Sequence, residues 1–522
     1  MKSRIAIILL LMSIICSAKV LASDTINISK NANSLEVKMN RGRNYGISCS
    51  NWLSVKQNDT GDGTYNITTL ANHITQNRLG WVTFRYNGTT EKRIIVNQNG
   101  SFNNCTISEL TSSCTAGWNL GNTMECVGSW INSSSPTNYE EAWGNPITTR
   151  AIFKMVKDHG FNTVRIPCSW YSHTVSGTNY VIDAKWMARV KEVIELALSE
   201  DLMVILNCHY DGGWLEKNCN EGSIDSVKNI QSILWSQIAD AMKDYDEYLL
   251  FASTNEPDVT KAEQMNALKT YHQAFVDAVR GEGGNNEKRC LVIQAPSTST
   301  ELAIQYYNQI FPIDTVKNKL MLEVHYYTPY NFCLMEKDES WGRVHYFWGK
   351  AYHTTPVYGV NRNCTYGEES YVDQQMALMK TYFTNKSIPV MIGEYCASYR
   401  TLDDSTLQNR HDSSREYWYK YITMQARKNG VIPFVWDAGQ ILDRRTLSTP
   451  KDSFAVNGIK QGIKQAQATN IYIDTANDDS NVVSTTIYGT TGIKQTSLQN
   501  GINIVRYTKE NGKCLSRKIL IK

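Results

Sequence analysis

Two carboxylates differ from the other acidic residues of the chain because each closes an apolar run. Glu256 follows Leu249-Leu250-Phe251-Ala252-Ser253-Thr254-Asn255 and precedes Pro257, a residue that ends an extended run and turns the chain into a loop. Glu394 follows Pro389-Val390-Met391-Ile392-Gly393. A carboxylate met singly is most often a solvated surface group, whereas two at matching ends of different strands point to paired acid–base work. Held about 5 to 5.5 Å apart, such a pair can carry out double displacement on a glycoside, one group as nucleophile and the other as proton donor and later base. Their surroundings must then split their pKa values. A cationic Arg165 near Glu394 would keep that group ionised, while the less compensated Glu256 would stay protonated.

The same placement recurs for other side chains. Arg165, His209, Asn255, His325 with Tyr327, and Trp436 all stand at the ends of apolar runs of strand length. Taken alone, a His or Tyr there is more often a satisfied structural residue and a Trp more often core. Their common position argues for one shared site.

The elements that must position them alternate between strand and helix from about Ser113 to Ala468. Strand-length apolar runs lie at Ala116 to Leu120, Asn162 to Pro167, Leu202 to Cys208, Tyr248 to Ser253, Leu291 to Ala295, Leu320 to Tyr326, Val390 to Gly393 and Ile432 to Trp436. Between them, Thr148 to His159, Asp183 to Ser199, Ser223 to Lys243 and Ser413 to Lys428 show apolar spacing near 3.6. Eight β/α units in one domain predict an α/β fold, the (β/α)8 TIM barrel. The competing doubly wound open sheet lacks its glycine-rich fingerprint after the first strand. In a barrel, polar groups at the carboxyl ends of the strands face the mouth where substrate binds, while polar residues within a strand lie in a packed core.

Composition sets the wider limits. Of 522 residues, 42% are hydrophobic, 10% aromatic and 20% charged, so the chain can bury substantial cores and is expected to hold more than one domain. The net charge of +3 equals the contribution of Lys2, Arg4 and Lys19, so the rest of the chain is balanced. That argues against nucleic acid as a partner. Met1 to Ala22 combines Lys2 and Arg4 with the apolar run Ile5 to Ile15 and a small-residue cleavage site at Val20-Leu21-Ala22, the pattern of a secretory signal peptide. That run is about half the length needed to cross a bilayer, and no later run approaches it, so no stable membrane span is expected. Cys16 lies in this leader, and the remaining cysteines, an even number, permit disulfides without identifying any. Most lie in or beside apolar segments, as Cys168, Cys208 and Cys396 do, where buried thiols are at least as fitting as bridges. There is neither a paired Cys-x-x-Cys nor a His-Glu-x-x-His motif to suggest zinc.

Residues 23–100 read as a small antiparallel β-sandwich, with strands at Ser34 to Met39, Tyr65 to Thr69, Gly80 to Tyr86 and Lys92 to Gln98. Alternation in Trp81-Val82-Thr83-Phe84-Arg85-Tyr86 suits one buried face. The segment resembles the immunoglobulin-like BACON module in Trp52-Leu53 and in Glu91-Lys92-Arg93-Ile94-Ile95-Val96-Asn97-Gln98. With no row of exposed aromatics evident, it is read as a spacer rather than a glycan binder. Residues 469–522 read as a small all-β domain with strands at Ile471 to Asp474, Val482 to Tyr488, Ile502 to Tyr507 and Leu515 to Ile521. Ile487-Tyr488-Gly489, Gly501 to Arg506 and Lys518 to Lys522 are similar to sorting domains of the type IX secretion system, an export address.

The central region, 101–468, resembles glycoside hydrolase family 5, the cellulase family of retaining β-glycanases. The resemblance is carried in order by Gly117-Trp118-Asn119-Leu120-Gly121-Asn122, Ala142-Trp143-Gly144-Asn145-Pro146, Val164-Arg165-Ile166-Pro167, Asn255-Glu256-Pro257, His325-Tyr326-Tyr327 and Ile392-Gly393-Glu394-Tyr395. It implies Glu256 as general acid/base, Glu394 as nucleophile and Asn255 as partner of the sugar 2-hydroxyl. Tyr327 would hold Glu394, His209 and His325 would bind sugar hydroxyls or orient the carboxylates, and Trp436 would floor the cleaving subsite. Asn122, Tyr210 and Trp214 are read with them as substrate-binding residues, and Trp118, Trp170, Tyr330 and Trp341 as further cleft candidates. Many relatives carry two successive His after the third strand, where this chain has His209-Tyr210. The loop from Tyr327 to Asp373 is expected to wall the cleft. The reading is a secreted, monomeric endo-β-1,4-glucanase that needs no metal or cofactor and acts on cellulose-like, mixed-linkage or xyloglucan chains. A mannanase or other β-glycanase of the same family, or a noncatalytic surface glycan-binding protein, are the alternatives.

Overall fold

The computed structural model describes residues 24–469, 482–489, 494–495, 497, 501–509 and 514–521; the leader expected at residues 1–22 and the strand expected at Ile471 to Asp474 lie outside them. The chain divides into two compact units, the first ending at Ser101 and the second beginning at Phe102.

Seven strands build the first unit: β1 (Asp24–Ile28), β2 (Asn33–Lys38), β3 (Gly46–Cys49), β4 (Leu53–Gln57), β5 (Thr64–Thr69), β6 (Arg78–Tyr86) and β7 (Thr89–Gln98). They form two sheets, in the orders β1-β7-β6-β3 and β2-β5-β4, around one buried cluster that includes Val37, Ile67, Phe84 and Val96. Alternation along β6 places Val82 and Phe84 fully inside while Trp81 and Arg85 face out, as a pleated strand requires. The expectation of a wholly antiparallel sandwich fails at β1, which pairs parallel with β7. From β1 the chain passes to the other sheet, where β2 pairs with β5. Strand β1 therefore takes the open edge beside β7 with most of the unit as its connection, and only such a long connection allows parallel pairing.

The second unit holds eight parallel strands: β8 (Gly117–Asn119), β9 (Thr163–Ile166), β10 (Met203–Asn207), β11 (Leu249–Ala252), β12 (Leu291–Gln294), β13 (Leu320–His325), β14 (Val390–Tyr395) and β15 (Val431–Val435). They close into a barrel in chain order, β15 pairing with β8. Both faces of these strands are buried, which is why they read as near-continuous apolar runs rather than alternating ones. Ile205, Leu250, Val292, Met321, Met391 and Phe434 fill the interior, and the short helix Ile107–Thr111 adds Ile107 and Leu110 to the same cluster. Its Ile107 N–H bonds the carbonyl of Asn318 just before β13, so this helix plugs the barrel at the amino ends of the strands.

The outer helices follow their caps. Asp183 accepts from the Lys185 and Trp186 N–H groups at the start of Ala184–Leu198, and Asp404 does the same for Thr406 and Leu407 ahead of Ser405–Lys428. This last helix begins well before Ser413, where its apolar period starts, because Asp404 sets its first turn and Ser405 to Arg410 are mostly polar. The eleven cysteines from Cys49 to Cys396 are free thiols. Strands β16 (Val482–Gly489), β17 (Lys494–Gln495), β18 (Gly501–Lys509) and β19 (Cys514–Ile521) form an antiparallel sheet near the C-terminus in the order β17-β16-β18-β19. Among the described residues no helix is long and apolar enough to cross a membrane.

Barrel closure makes Gly117 obligatory. A Cβ there would lie 2.0 Å from the Phe434 ring, and both residues sit where β8 and β15 pair. Gly117→Ala is expected to destabilise the barrel by about 1–3 kcal/mol, the usual cost of overpacking a filled core. Urea unfolding followed by tryptophan fluorescence should show a lowered midpoint; an unchanged one would contradict this packing.

Candidate active site

Strand β9 aims Arg165 into the mouth of the barrel, and no part of that side chain meets solvent. An isolated guanidinium there would be prohibitively costly, so its neighbours are set by the need to compensate it. Nη1 donates to Glu394 Oε1 at 2.9 Å and to Asn119 Oδ1 at 3.0 Å, and Nη2 to Asn255 Oδ1 at 2.7 Å. Nε stands 2.9 Å from Glu323 Oε1. Asn119 is itself pinned, donating to the carbonyls of Gly393 at 2.8 Å and Val435 at 3.1 Å. Burial opposes the charge on Arg165, but Glu323 and Glu394 outweigh it and raise its pKa.

Glu394 sits near the end of β14, where the pairing register shifts against both neighbouring strands; such irregularities re-aim a side chain. Its Oε2 accepts from the Tyr327 hydroxyl at 2.8 Å. The carboxyl is 7% exposed, whereas that of Glu256 is 47% exposed. His325, on β13, lies between the acids: Nδ1 is 2.6 Å from Glu256 Oε1 and 3.7 Å from Glu394 Oε2, and Nε2 is 3.2 Å from Glu323 Oε1. An oxygen of Glu256 and one of Glu394 lie within 4.8 Å of each other, the two residues being delivered by β14 and by the loop after β11.

The protonation pattern differs from the expectation. Burial disfavours an imidazolium at His325, but Glu394, Glu256 and Glu323 together push its pKa up to about 10. Burial pulls Glu256 upward, and the hydrogen bond and charge of His325, with Arg165, outweigh it and leave the carboxyl below its usual value. Glu256 is thus lowered rather than held protonated, and the proton of this pair resides on His325. Glu256, His325 and Glu394 are close enough to be read as metal ligands. Both imidazole nitrogens, however, face carboxylates as donors, leaving no lone pair for a cation.

The remaining residues divide between the site and its frame. His209 follows β10; Asn207 Nδ2 stands 3.1 Å from its Nδ1, and burial and Arg165 lower its pKa to about 3, so it is neutral with Nε2 left to donate. Its ring lies parallel to that of Trp436, 8° between planes and 6.0 Å between centroids. Trp436 is seated against Gly121, whose Cβ would come within 3.0 Å of it. Tyr210 is 40% exposed on the rim, with the Lys217 ammonium 5.2 Å over its ring. Trp214 stacks on Tyr171 at 5.6 Å and packs partly buried against the outer core. Asn122 adopts a left-handed φ of 54°; its N–H bonds Glu125 and its carbonyl accepts from Asn145 Nδ2 at 2.9 Å. Trp118 and Trp170 are not cleft residues. Both are fully buried, their indoles donating to Asp437 Oδ2 at 2.8 Å and the Asn207 carbonyl at 3.0 Å. Tyr330 and Trp341, in the loop after β13, are 47% and 67% exposed.

Sequence reasoning passed over Asn119, Glu323 and Glu216. Glu323 precedes His325 by two residues on one strand, so the two share a face, a signal that was available. Glu216 lies in a short 3-10 turn, Glu216–Asn218, with no periodicity to mark it. Its Oε1 accepts the Glu256 N–H at 2.9 Å.

A parallel barrel with opposed carboxylates at its mouth has the geometry that glycoside hydrolysis requires, and the comparisons with known proteins agree. Residues 124–441 match the family described as cellulase (glycosyl hydrolase family 5), and the chain belongs to that family. It is 32% identical over 446 residues to the xyloglucan-specific endo-beta-1,4-glucanase BoGH5A of Bacteroides ovatus, an alignment spanning 80% of this chain and 86% of the relative. It is 31% identical over 389 residues to endoglucanase A of Paenibacillus barcinonensis, covering 69% and 90%. Among solved structures, the Bacteroides ovatus xyloglucanase in complex with a XXXG heptasaccharide superposes with a TM-score of 0.62 at 28% identity, covering 84% of this chain and 98% of that one. The xyloglucan-specific XEG5B from a ruminal metagenomic library, in complex with XXLG, gives 0.62 at 38% identity, covering 69% and 97%.

The raised pKa of His325 carries a stability signature. A histidine whose folded pKa lies near 10 stabilises the fold fully below its unfolded value of about 6.5, and that contribution is lost as pH rises toward about 10. The gap in urea midpoint between wild type and His325→Gln is therefore expected to narrow from neutral to alkaline pH; a constant gap would contradict the imidazolium.

Proposed function

We propose that this glycoside hydrolase is an exported endo-β-1,4-glucanase that cleaves internal linkages with retention of configuration, with xyloglucan among its substrates. The observation that carries the reading is the separation of the two acids, with carboxylate oxygens within 4.8 Å. That spacing suits direct attack on the sugar and leaves no room for the intervening water an inverting pair requires. The xyloglucan and endoglucanase activities named for the relatives support the substrate class.

In this mechanism Glu394, held by Arg165 and Tyr327, attacks the anomeric carbon as the glycosidic C–O bond breaks. The leaving oxygen takes its proton from Glu256. Glu394 loses its negative charge as the ester forms, and that charge is the first of the influences raising the pKa of His325. In that same step the imidazolium releases its proton across the 2.6 Å contact to Glu256, which is ionised at rest and passes that proton on to the leaving oxygen. In the second step water attacks the anomeric carbon, its proton returns to the Glu256–His325 pair, and Glu394 departs. Asn255, with Oδ1 occupied by Arg165, offers its amide N–H to the sugar 2-hydroxyl, a bond that strengthens as the transition state gains oxocarbenium character. Trp436 supplies a stacking face and His209 a donor beside it, with Tyr210 at the rim. Asn122 and Trp214 would contribute at the edges of the cleft.

The signal-like leader and the sorting-like tail support export through the periplasm to the cell surface, the BACON-like first unit serving as a spacer, and the enzyme working as a monomer. Carboxymethylcellulose, barley β-glucan, xyloglucan and mannan offered in parallel test the substrate class. New reducing ends are expected from the glucans, with the β-anomer appearing first by proton NMR. Release from mannan alone, or the α-anomer first, would overturn the proposal. Glu394→Ala is expected to lower turnover by about a thousandfold or more, with azide restoring part of it as an α-glycosyl azide; undiminished activity would remove Glu394 from its role.

A further inference from the structure

The loop that presents Glu256 is fastened to a carboxyl group outside the catalytic cluster. Glu216 is 2% exposed. Its Oε1 accepts the Glu256 N–H at 2.9 Å, and its carbonyl accepts the Asp258 N–H at 3.0 Å, so one residue grips the chain on both sides of Pro257. Its other oxygen, Oε2, is buried without a partner. Among the described residues no ion pair reaches Glu216. Its neighbour Lys217 directs its ammonium over the Tyr210 ring instead.

We propose that Glu216 is a positioning residue for Glu256, working as a neutral carboxylic acid whose Oε1 fixes the main chain of the acid/base while a proton on Oε2 keeps a further negative charge out of the site. The proposal rests on the glycanase reading above. A carboxylate in this place would leave an anionic oxygen buried and unbonded, which is strongly unfavourable. The charged and titratable groups around it are Glu256, Glu394 and Asp211, the thiols of Cys208 and Cys219, and Lys217. The three carboxyl groups oppose ionisation, while burial raises both thiols and keeps them neutral. Burial first, then the charges of Glu256, Glu394 and Asp211, push the Glu216 pKa up to about 8, against the bond from the Glu256 N–H. Ionisation above that pH would add a further carboxylate to a site that already holds Glu256, Glu394 and Glu323. That added charge would raise the energy of the ionised Glu394 and tighten the hold of His325 on its proton, slowing glycosylation.

Three variants and two readouts test this. Wild-type turnover on β-glucan is expected to fall as pH rises past about 8. Glu216→Gln keeps an oxygen acceptor and cannot ionise, so turnover near neutral pH should stay within about twofold of wild type while the alkaline limb moves up toward the His325 value of about 10. Glu216→Leu removes the acceptor and should lower kcat at least about tenfold with KM little changed. Its deficit should be smaller on a 2,4-dinitrophenyl cellobioside, whose leaving group needs no proton. Infrared difference spectra of wild type against Glu216→Gln read the proton without substrate: a protonated-carboxyl band is expected near neutral pH, vanishing above about 8. Absence of that band, an unmoved alkaline limb in Glu216→Gln, or full kcat in Glu216→Leu would overturn the proposal. Should Glu216→Leu fail to fold, Glu216→Ala takes its place, and the glutamine variant and the infrared band still decide. Should the wild type cleave no glucan while the band is present, the glycanase reading falls and the neutral acid stands.

Discussion

A positive charge sealed inside the barrel is the constraint on which the site depends. Arg165 is fully buried, and a charge in that position persists only with close, well-oriented partners. Glu323 and Glu394 supply the opposite charge, and Asn119 and Asn255 the remaining acceptors. These partners come from β8, β13, β14 and the loop after β11, so the guanidinium ties together strands far apart in sequence. Gly393 belongs to the same arrangement, because a Cβ there would lie 2.0 Å from Glu323 Oε1. The residue before Glu394 is bare because its neighbour's carboxylate occupies the space.

From that charge the chemistry follows in order. Arg165 and Tyr327 hold Glu394 in place, Glu394 with Glu256 and Glu323 raises the pKa of His325, and His325 in turn depresses Glu256. The resting site therefore stores its transferable proton on an imidazole next to the acid rather than on the acid itself. This arrangement keeps the buried charges of the site paired and leaves the proton one short contact from Glu256, the group proposed to hand it to the leaving oxygen.

The barrel was largely legible in the sequence because a parallel strand buried on both faces must be apolar and its first polar residue marks the mouth. Arg165, Glu394, Tyr327 and His325 were found by that mark. Glu323 was passed over because a polar residue inside a strand was assigned to packed core, although its two-residue spacing from His325 placed both on one face. Glu216 carried no local signal, since its importance lies in a main-chain bond to a loop forty residues away. The buried indoles of Trp118 and Trp170 show the limit of reading aromatics by loop position: each found a hydrogen-bond partner in the frame, Asp437 and the Asn207 carbonyl, and was withdrawn from the cleft. The parallel pairing of β1 with β7 was hidden because period-two alternation specifies a face and not a direction.

The central claim is that Glu394 forms a bond to sugar while Arg165 holds it in place. Incubating the enzyme with a 2-deoxy-2-fluoro cellobioside bearing a good leaving group, then mapping the modified peptide by mass spectrometry, tests it most directly, because the fluorine slows release of the glycosyl-enzyme. The expected result is one sugar adduct on Glu394, and none in Arg165→Ala under the same conditions. An adduct on Glu256, or a wild-type enzyme that turns over freely without any adduct, would contradict the account.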